Sequence, residues 1–241
     1  MVMIMIKTLF CNLFIIVFTV ICSIKGVLFA FVGKSEQMIH DNVARFWANN
    51  ILRVCGVKVV IEGVENIDDS SPKVYMSNHQ SAFDIFALLG GLPVSFRFIM
   101  KQELMNIPVF GYASKKAGYI GIERKDPRKA IKSMNDAAIR IKNGSSVLIF
   151  PEGTRSTDGT LFAFKTGGFH LALKSGCDIV PISIVGSRDI NPPRSIMIYS
   201  GTICIKIGKP IAVKEFSRHD IDKLISMTRS AINIGLFGSD K

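Results

Sequence analysis

The chain has 241 residues, 48% of them hydrophobic, with 30 Lys and Arg against 19 Asp and Glu for a net charge of +11. That length accommodates one large domain, or one domain with an appendage, around a sizeable core. The surplus positive charge points to anionic lipid, acidic proteins or phosphorylated substrates. Nucleic acid is set aside, because aromatic residues do not interleave with the basic ones and no binding motif occurs. The five cysteines (11, 22, 55, 177 and 204) show no C-x-x-C spacing, which argues against disulfides and a zinc site and for a reducing, cytosolic face.

In chain order, residues 8–24 form an uncharged apolar run bracketed by Lys7 and Lys25. The small-residue cleavage site of a secreted leader is weak here. Residues 8–33 suffice to span a bilayer if Lys25 snorkels, and an anchor that dips into one leaflet is equally compatible with the composition. Residues 35–56 repeat with helical period, with Met38, Ile39, Val43, Phe46, Trp47, Ile51 and Leu52 as the apolar stripe, Ser35 as N-cap and Gly56 as stop. A boundary is placed here: 1–54 a membrane-associated helical region, 55–241 the catalytic domain. Short β-branched runs follow at 57–62, 74–77, 94–99, 118–122, 147–150 and 179–184. Helical stretches lie between several of them, at 82–90, 108–116, 127–142 and 166–175. This alternation predicts a single α/β domain with a largely parallel mixed sheet flanked by helices. Residues 196–208 read as a β-hairpin turning at Ser200-Gly201, and 217–233 as a closing helix. The tract 101–142 carries ten basic against four acidic residues.

The chemistry begins with His79, in the stretch SNHQSAFD after the strand-like run 74–77. A five-residue gap to Asp84 suits a histidine in a turn and a carboxylate in the first turn of the next helix, reaching back to one ring nitrogen. In α/β sheets ligands gather at the carboxyl ends of strands. A carboxylate on one imidazole nitrogen fixes the tautomer and frees the other to take a proton. No G-x-S-x-G elbow is present, so the base is expected to act on a substrate hydroxyl rather than on a serine of the protein. FPEGTRS at 150–156 follows another apolar run. Arg155 offers a forked cation for a phosphate, Thr154 a hydroxyl, and Gly153 close approach of the backbone. Glu152 suits a substrate hydroxyl or Arg155. Lys101 and Arg124 each end a further run. Three cations at three strand ends beside a His–Asp pair describe a pocket for a phosphorylated alcohol.

Four blocks in order, Asn78–Asp84 (N-H-x-x-x-x-D), Gly118–Arg124 (G-x-I-x-I-x-R), Phe150–Ser156 and Val180–Ile184 (V-P-I-S-I), resemble those of the glycerolipid acyltransferases over about residues 55–210. The resemblance implies His79 as general base with Asp84 as its partner. It implies Lys101, Arg124 and Arg155 at the phosphate, Glu152 and Gly153 around the acceptor, and Pro181 in the wall near the acyl chain. It further implies helices that dip into one leaflet. The implied reaction moves an acyl group from acyl-CoA or acyl carrier protein to the sn-2 hydroxyl of lysophosphatidic acid at the cytosolic face of the inner membrane, with no metal or cofactor. Another lysolipid acceptor, a lipid hydrolase and a non-catalytic lipid-binding protein are the alternatives. Gly121 and Glu123 depart from the family pattern, which more often has a bulky apolar residue and Asp there.

Overall fold

The structure is a computed structural model that describes residues 2–123 and 126–238. Its first element, α1 (Val2–Phe31), is an inside-out helix. Thr8, Cys11, Cys22, Ser23 and Gly26 turn inward, while Leu9, Leu13, Val17, Val20, Ile24 and Leu28 are among those left exposed. Small and polar groups recur at three- and four-residue spacing on the inner stripe, so large apolar side chains take the rest of the surface. Its 30 residues extend about 45 Å, long and apolar enough to cross a membrane. Lys25 is half-buried. Its ammonium donates to the Asn42 carbonyl at 3.2 Å and lies over the rings of Phe29 and Phe46.

The helical segment expected at 35–56 divides into α2 (Glu36–Ile39), a π-helical turn (His40–Arg45) and α3 (Phe46–Cys55). Ser35 caps it by accepting the Met38 N–H at 3.2 Å, and Gly56 ends it with φ of 70°. The wider turn rotates the apolar stripe. Ile39, Val43, Ile51 and Leu52 are buried as expected, while Met38 and Phe46 are exposed.

Seven strands and seven further helices follow: β1 (Val57–Glu62), β2 (Val74–Ser77), α4 (Phe83–Gly91), β3 (Arg97–Lys101), α5 (Gln102–Met105), α6 (Phe110–Lys116), β4 (Ile120–Ile122), α7 (Pro127–Lys142), β5 (Val147–Ile149), α8 (Gly167–Ser175), β6 (Ile179–Val185), α9 (Ser187–Ile190), β7 (Gly201–Ile207) and α10 (Ile221–Phe237). The sheet order is β1-β7-β6-β2-β5-β3-β4. The five strands from β6 to β4 are mutually parallel; β7 is antiparallel to β6, and β1 is parallel to β7. Strand alternation sends Tyr75, Leu148 and Val180 into a core with α3 and α4. It sends Val74, Met76, Val147, Ile149 and Ile179 into a second core with α7, α8 and α10. Both faces are covered, as parallel sheets require.

One expectation fails. Residues 196–200 are not the first arm of a hairpin; only β7 is a strand. Their alternation looked like a strand, but their backbone is engaged elsewhere. Asn12 Nδ2 donates to the Ile196 carbonyl at 2.9 Å, the Ile198 N–H donates to Thr8 Oγ1 at 3.3 Å, and Asn191 Nδ2 donates to the Met197 carbonyl at 2.9 Å. Lys7 bonds the Ser200 hydroxyl. The segment is a seat for the start of α1.

Candidate active site

The loop after β2 is pinned before its histidine is aimed. Asn78 Nδ2 donates to the Ile184 carbonyl at 2.9 Å and its Oδ1 accepts the Ile184 N–H at 2.7 Å, fastening the loop to β6. The His79 backbone is then clamped from the 150–156 loop: its N–H donates to Glu152 Oε1 at 2.9 Å, and its carbonyl accepts the Ser156 N–H at 2.7 Å.

Asp84, the second residue of α4, is fully buried. Its Oδ2 lies 2.7 Å from His79 Nδ1 and also accepts the N–H groups of Gln80 at 2.7 Å and Ser81 at 2.9 Å. Three donors converge on that oxygen when Nδ1 carries the ring hydrogen, which leaves Nε2 as an acceptor. The ring stacks on Phe150 with centroids 4.0 Å apart, so its plane is set by an apolar face as well as by the carboxylate. Nε2 has no protein partner among the described residues, and the ring borders an open cleft.

The cleft is lined by His79, Ala82, Ile85, Phe98–Lys101, Leu104, Phe150 and Gly153–Arg155. The structure thus brings five of the expected residues together: His79, Lys101, Gly153, Thr154 and Arg155. Asp84 stands behind His79. Neither Lys101 nor Arg155 is paired with a carboxylate among the described residues, so both charges are available to an anion. Arg124 lies outside the described residues.

Two expected residues sit elsewhere. Glu152 is 2% exposed and does not line the cleft. Its Oε2 accepts the Phe162 N–H at 2.8 Å while Oε1 holds His79, so it braces two backbone segments. Burial pushes its carboxyl pKa upward, and the hydrogen bonds from Phe162 and His79 pull it back. Pro181 is buried in β6, paired in register with Met76 and away from the cleft wall.

Sequence reasoning passed over Lys165. Gly153 takes φ of 73°, and a Cβ there would come within 3.0 Å of Lys165 Nζ. The ammonium therefore lies against a glycine of the cleft wall. The F-K-T-G stretch gave no signal, because proximity to 153 arises from the loop's return, the Lys165 N–H donating to the Pro151 carbonyl at 2.9 Å. Also unforeseen is an apolar cavity of about 130 Å³ beneath α1, lined by Cys22, Ser23, Gly26, Trp47, Ala113 and Tyr119 among others. It shares Ile85, Phe98, Met100 and Leu104 with the cleft.

The profile of the family described as Acyltransferase matches residues 58–185, just over half of the chain. The chain is 41% identical over 178 residues to the chloroplastic 1-acyl-sn-glycerol-3-phosphate acyltransferase LPAT1 of Arabidopsis thaliana, covering 73% of this chain and 49% of that one. It is 28% identical over 213 residues to human 1-acyl-sn-glycerol-3-phosphate acyltransferase alpha, covering 88% and 72% respectively. The chain spans about half the length of the plant relatives it matches at 40% identity or more. Among solved structures, that of the 1-acyl-sn-glycerophosphate acyltransferase PlsC from Thermotoga maritima is similar over 97% of this chain and 95% of its own, at a TM-score of 0.83 and 26% identity. With the profile covering β1 to β6 and the neighbouring structure matching the fold from α1 onward, the chain belongs to the acyltransferase family.

Proposed function

We propose that the protein transfers a fatty acyl group from a thioester, acyl-CoA or acyl carrier protein, to the sn-2 hydroxyl of 1-acylglycerol 3-phosphate, giving phosphatidic acid. The observation that carries this reading is the 2.7 Å contact between His79 Nδ1 and Asp84, which leaves Nε2 at a cleft whose other wall holds Lys101 and Arg155. The names of the relatives supply the acceptor.

In this mechanism Nε2 takes the hydroxyl proton as the oxygen attacks the thioester carbonyl. Asp84 steadies the imidazolium that forms. The tetrahedral intermediate collapses with cleavage of the C–S bond, and the imidazolium returns the proton to the departing thiolate. Lys101, Arg155, Arg124 and Lys165 hold the phosphate, Thr154 and Gly153 fit the glycerol, and Glu152 keeps His79 and the 162 segment in place. The donor's acyl chain lies in the apolar cavity under α1. Positioning of this kind contributes several kcal/mol in addition to the base itself.

The exposed apolar face of α1 rests in one leaflet. The side of α7 that carries Arg128, Lys132 and Lys142, exposed together with Ile131 and Ile139, receives the acidic carrier protein. Five free cysteines agree with a reducing compartment, the cytosolic side of an inner membrane. The test is an assay of detergent-solubilised protein with both thioester types against a panel of lysolipids. The expected result is phosphatidic acid from lysophosphatidate, dependent on both substrates; free fatty acid release without acceptor, or preference for an acceptor lacking the phosphomonoester, overturns it.

A further inference from the structure

The chain between β3 and β4 has a feature the proposed reaction leaves unexplained. Leu104, Ile107, Val109 and Tyr112 are all exposed, Ile107 at 46%, on a surface reached within a dozen residues of the cleft. Between them the backbone makes a tight three-residue turn: the Phe110 N–H donates to the Pro108 carbonyl at 2.7 Å, and Val109 takes φ of 63° and ψ of −57°. That is the strained form of the γ-turn, at a β-branched residue that rarely adopts positive φ. Strain of this sort persists where the surrounding structure or a function over-determines it.

Three further observations say what covers this apolar tip. Lysines flank it, at 101 on one side and at 115 and 116 on the other, against a single acid, Glu103. Lys116 lies 5.5 Å from the Tyr112 ring centroid, an aromatic–cation pairing suited to a headgroup region. The tip is continuous with α1, since the inward face of α6 packs there: a Cβ on Gly26 would lie 3.1 Å from Ala113 Cβ. Leu104 meanwhile borders the cleft, the apolar cavity and the surface at once.

We propose that residues 104–112 are a second bilayer-contacting element, seated in an anionic lipid surface beside α1, and that they form the threshold over which the lysolipid's own chain passes between bilayer and cleft. This rests on the lysolipid reading above. The apolar tip enters the acyl boundary and Lys115 and Lys116 meet lipid phosphates, as in interfacial segments generally. The acceptor then keeps its chain in the bilayer while its hydroxyl reaches His79.

Two arms test this on the full chain. In Ile107→Trp, binding to vesicles of phosphatidylcholine and phosphatidylglycerol with brominated acyl chains should shift the added emission to the blue and quench it, beyond what native Trp47 shows in the unchanged protein. No added quenching overturns the proposal. In the Ile107→Glu, Val109→Glu double variant, turnover of a long-chain acceptor presented in vesicles should fall about tenfold, since a charged tip opposes interfacial seating. Turnover of a short-chain, monomeric acceptor should be unchanged; equal loss on both acceptors overturns the threshold role. Absence of turnover by the unchanged protein would sink the lysolipid reading, while the quenching arm decides the bilayer contact by itself.

Discussion

The His79 ring is held on three sides: by Asp84 at Nδ1, by Phe150 on its face, and by Glu152 and Ser156 through its backbone. Removing the imidazole removes the proposed base and leaves those supports in place. His79→Ala is therefore expected to lower turnover by about 10²- to 10⁴-fold with an unchanged circular dichroism spectrum, and retained activity would refute the assignment. Asp84→Asn breaks the tautomer preference and places an amide where two backbone N–H groups already point. A loss of roughly 10²-fold is expected, and a near-normal rate would reduce Asp84 to a helix-terminal cap. Arg155→Ala should raise the lysophosphatidate KM while leaving the donor's KM within about a factor of two, since in the proposed mechanism it removes one charge-assisted bond to the phosphate. The opposite pattern would move the phosphate site. His79, Lys101 and Arg155 were legible in the sequence because each ends or follows a strand, where local pattern and chemistry coincide, and Asp84 because it opens the helix five residues after His79. The bracing role of Glu152 was not, because it depends on Phe162, ten residues away on a returning loop, itself held by Arg229 of α10 through the Phe162 carbonyl at 2.5 Å.

Among elements, the junction from α2 through the π turn to α3 shows what periodicity conveys and omits. Its caps and most of its buried stripe were readable, yet the turn that rotates Met38 and Phe46 outward was not. That turn places His40 in the interior, with Nδ1 3.2 Å from the Tyr119 hydroxyl and Nε2 buried without a partner among the described residues. Burial, together with the charges of Arg97 and Arg45, lowers the His40 pKa from 6.5 to about 3. Between those values the unfolded chain binds a proton that the folded chain excludes, so stability rises with pH through this window. The contribution is fully present above pH 6.5 and is lost as pH falls. Between pH 6.5 and 5 the loss should be roughly 1 to 2 kcal/mol. His40→Gln keeps a polar partner for Tyr119 and cannot titrate; denaturant unfolding of both proteins in detergent should show the variant's stability flatter by that amount. Matching pH profiles would place the charge elsewhere. The hairpin expected at 196–208 failed for a related reason: alternation records which side chains face inward, not which backbone groups are already taken by Thr8 and Asn12.

Across the whole molecule, the alternation of β-branched runs and helices made the parallel sheet and its carboxyl-end site readable, because each βα unit writes its own signature locally. The cavity under α1 had no such signature. Its walls come from α1, α2, the π turn, α3, α4, β3, α5 and α6, and its shape depends on small residues at helix crossings that are unremarkable in their own windows. Cys22 lies on that wall, far in sequence from His79, yet the cavity and the cleft share Phe98, Met100 and Leu104. If the donor's chain occupies this space, the cavity's depth limits the chain it accepts. Cys22→Phe adds an aromatic ring to a space of about 130 Å³ and should shift the preferred donor toward shorter acyl chains. An overpacking cost of about 1 to 3 kcal/mol accompanies it. The measurement is the product profile with a mixture of thioesters of graded length, read beside the thermal midpoint. A uniform fall at every length would report damage to the fold alone, and an unchanged profile would place the acyl chain elsewhere; only a loss confined to the longer donors agrees with a chain that runs from His79 to the inner face of α1.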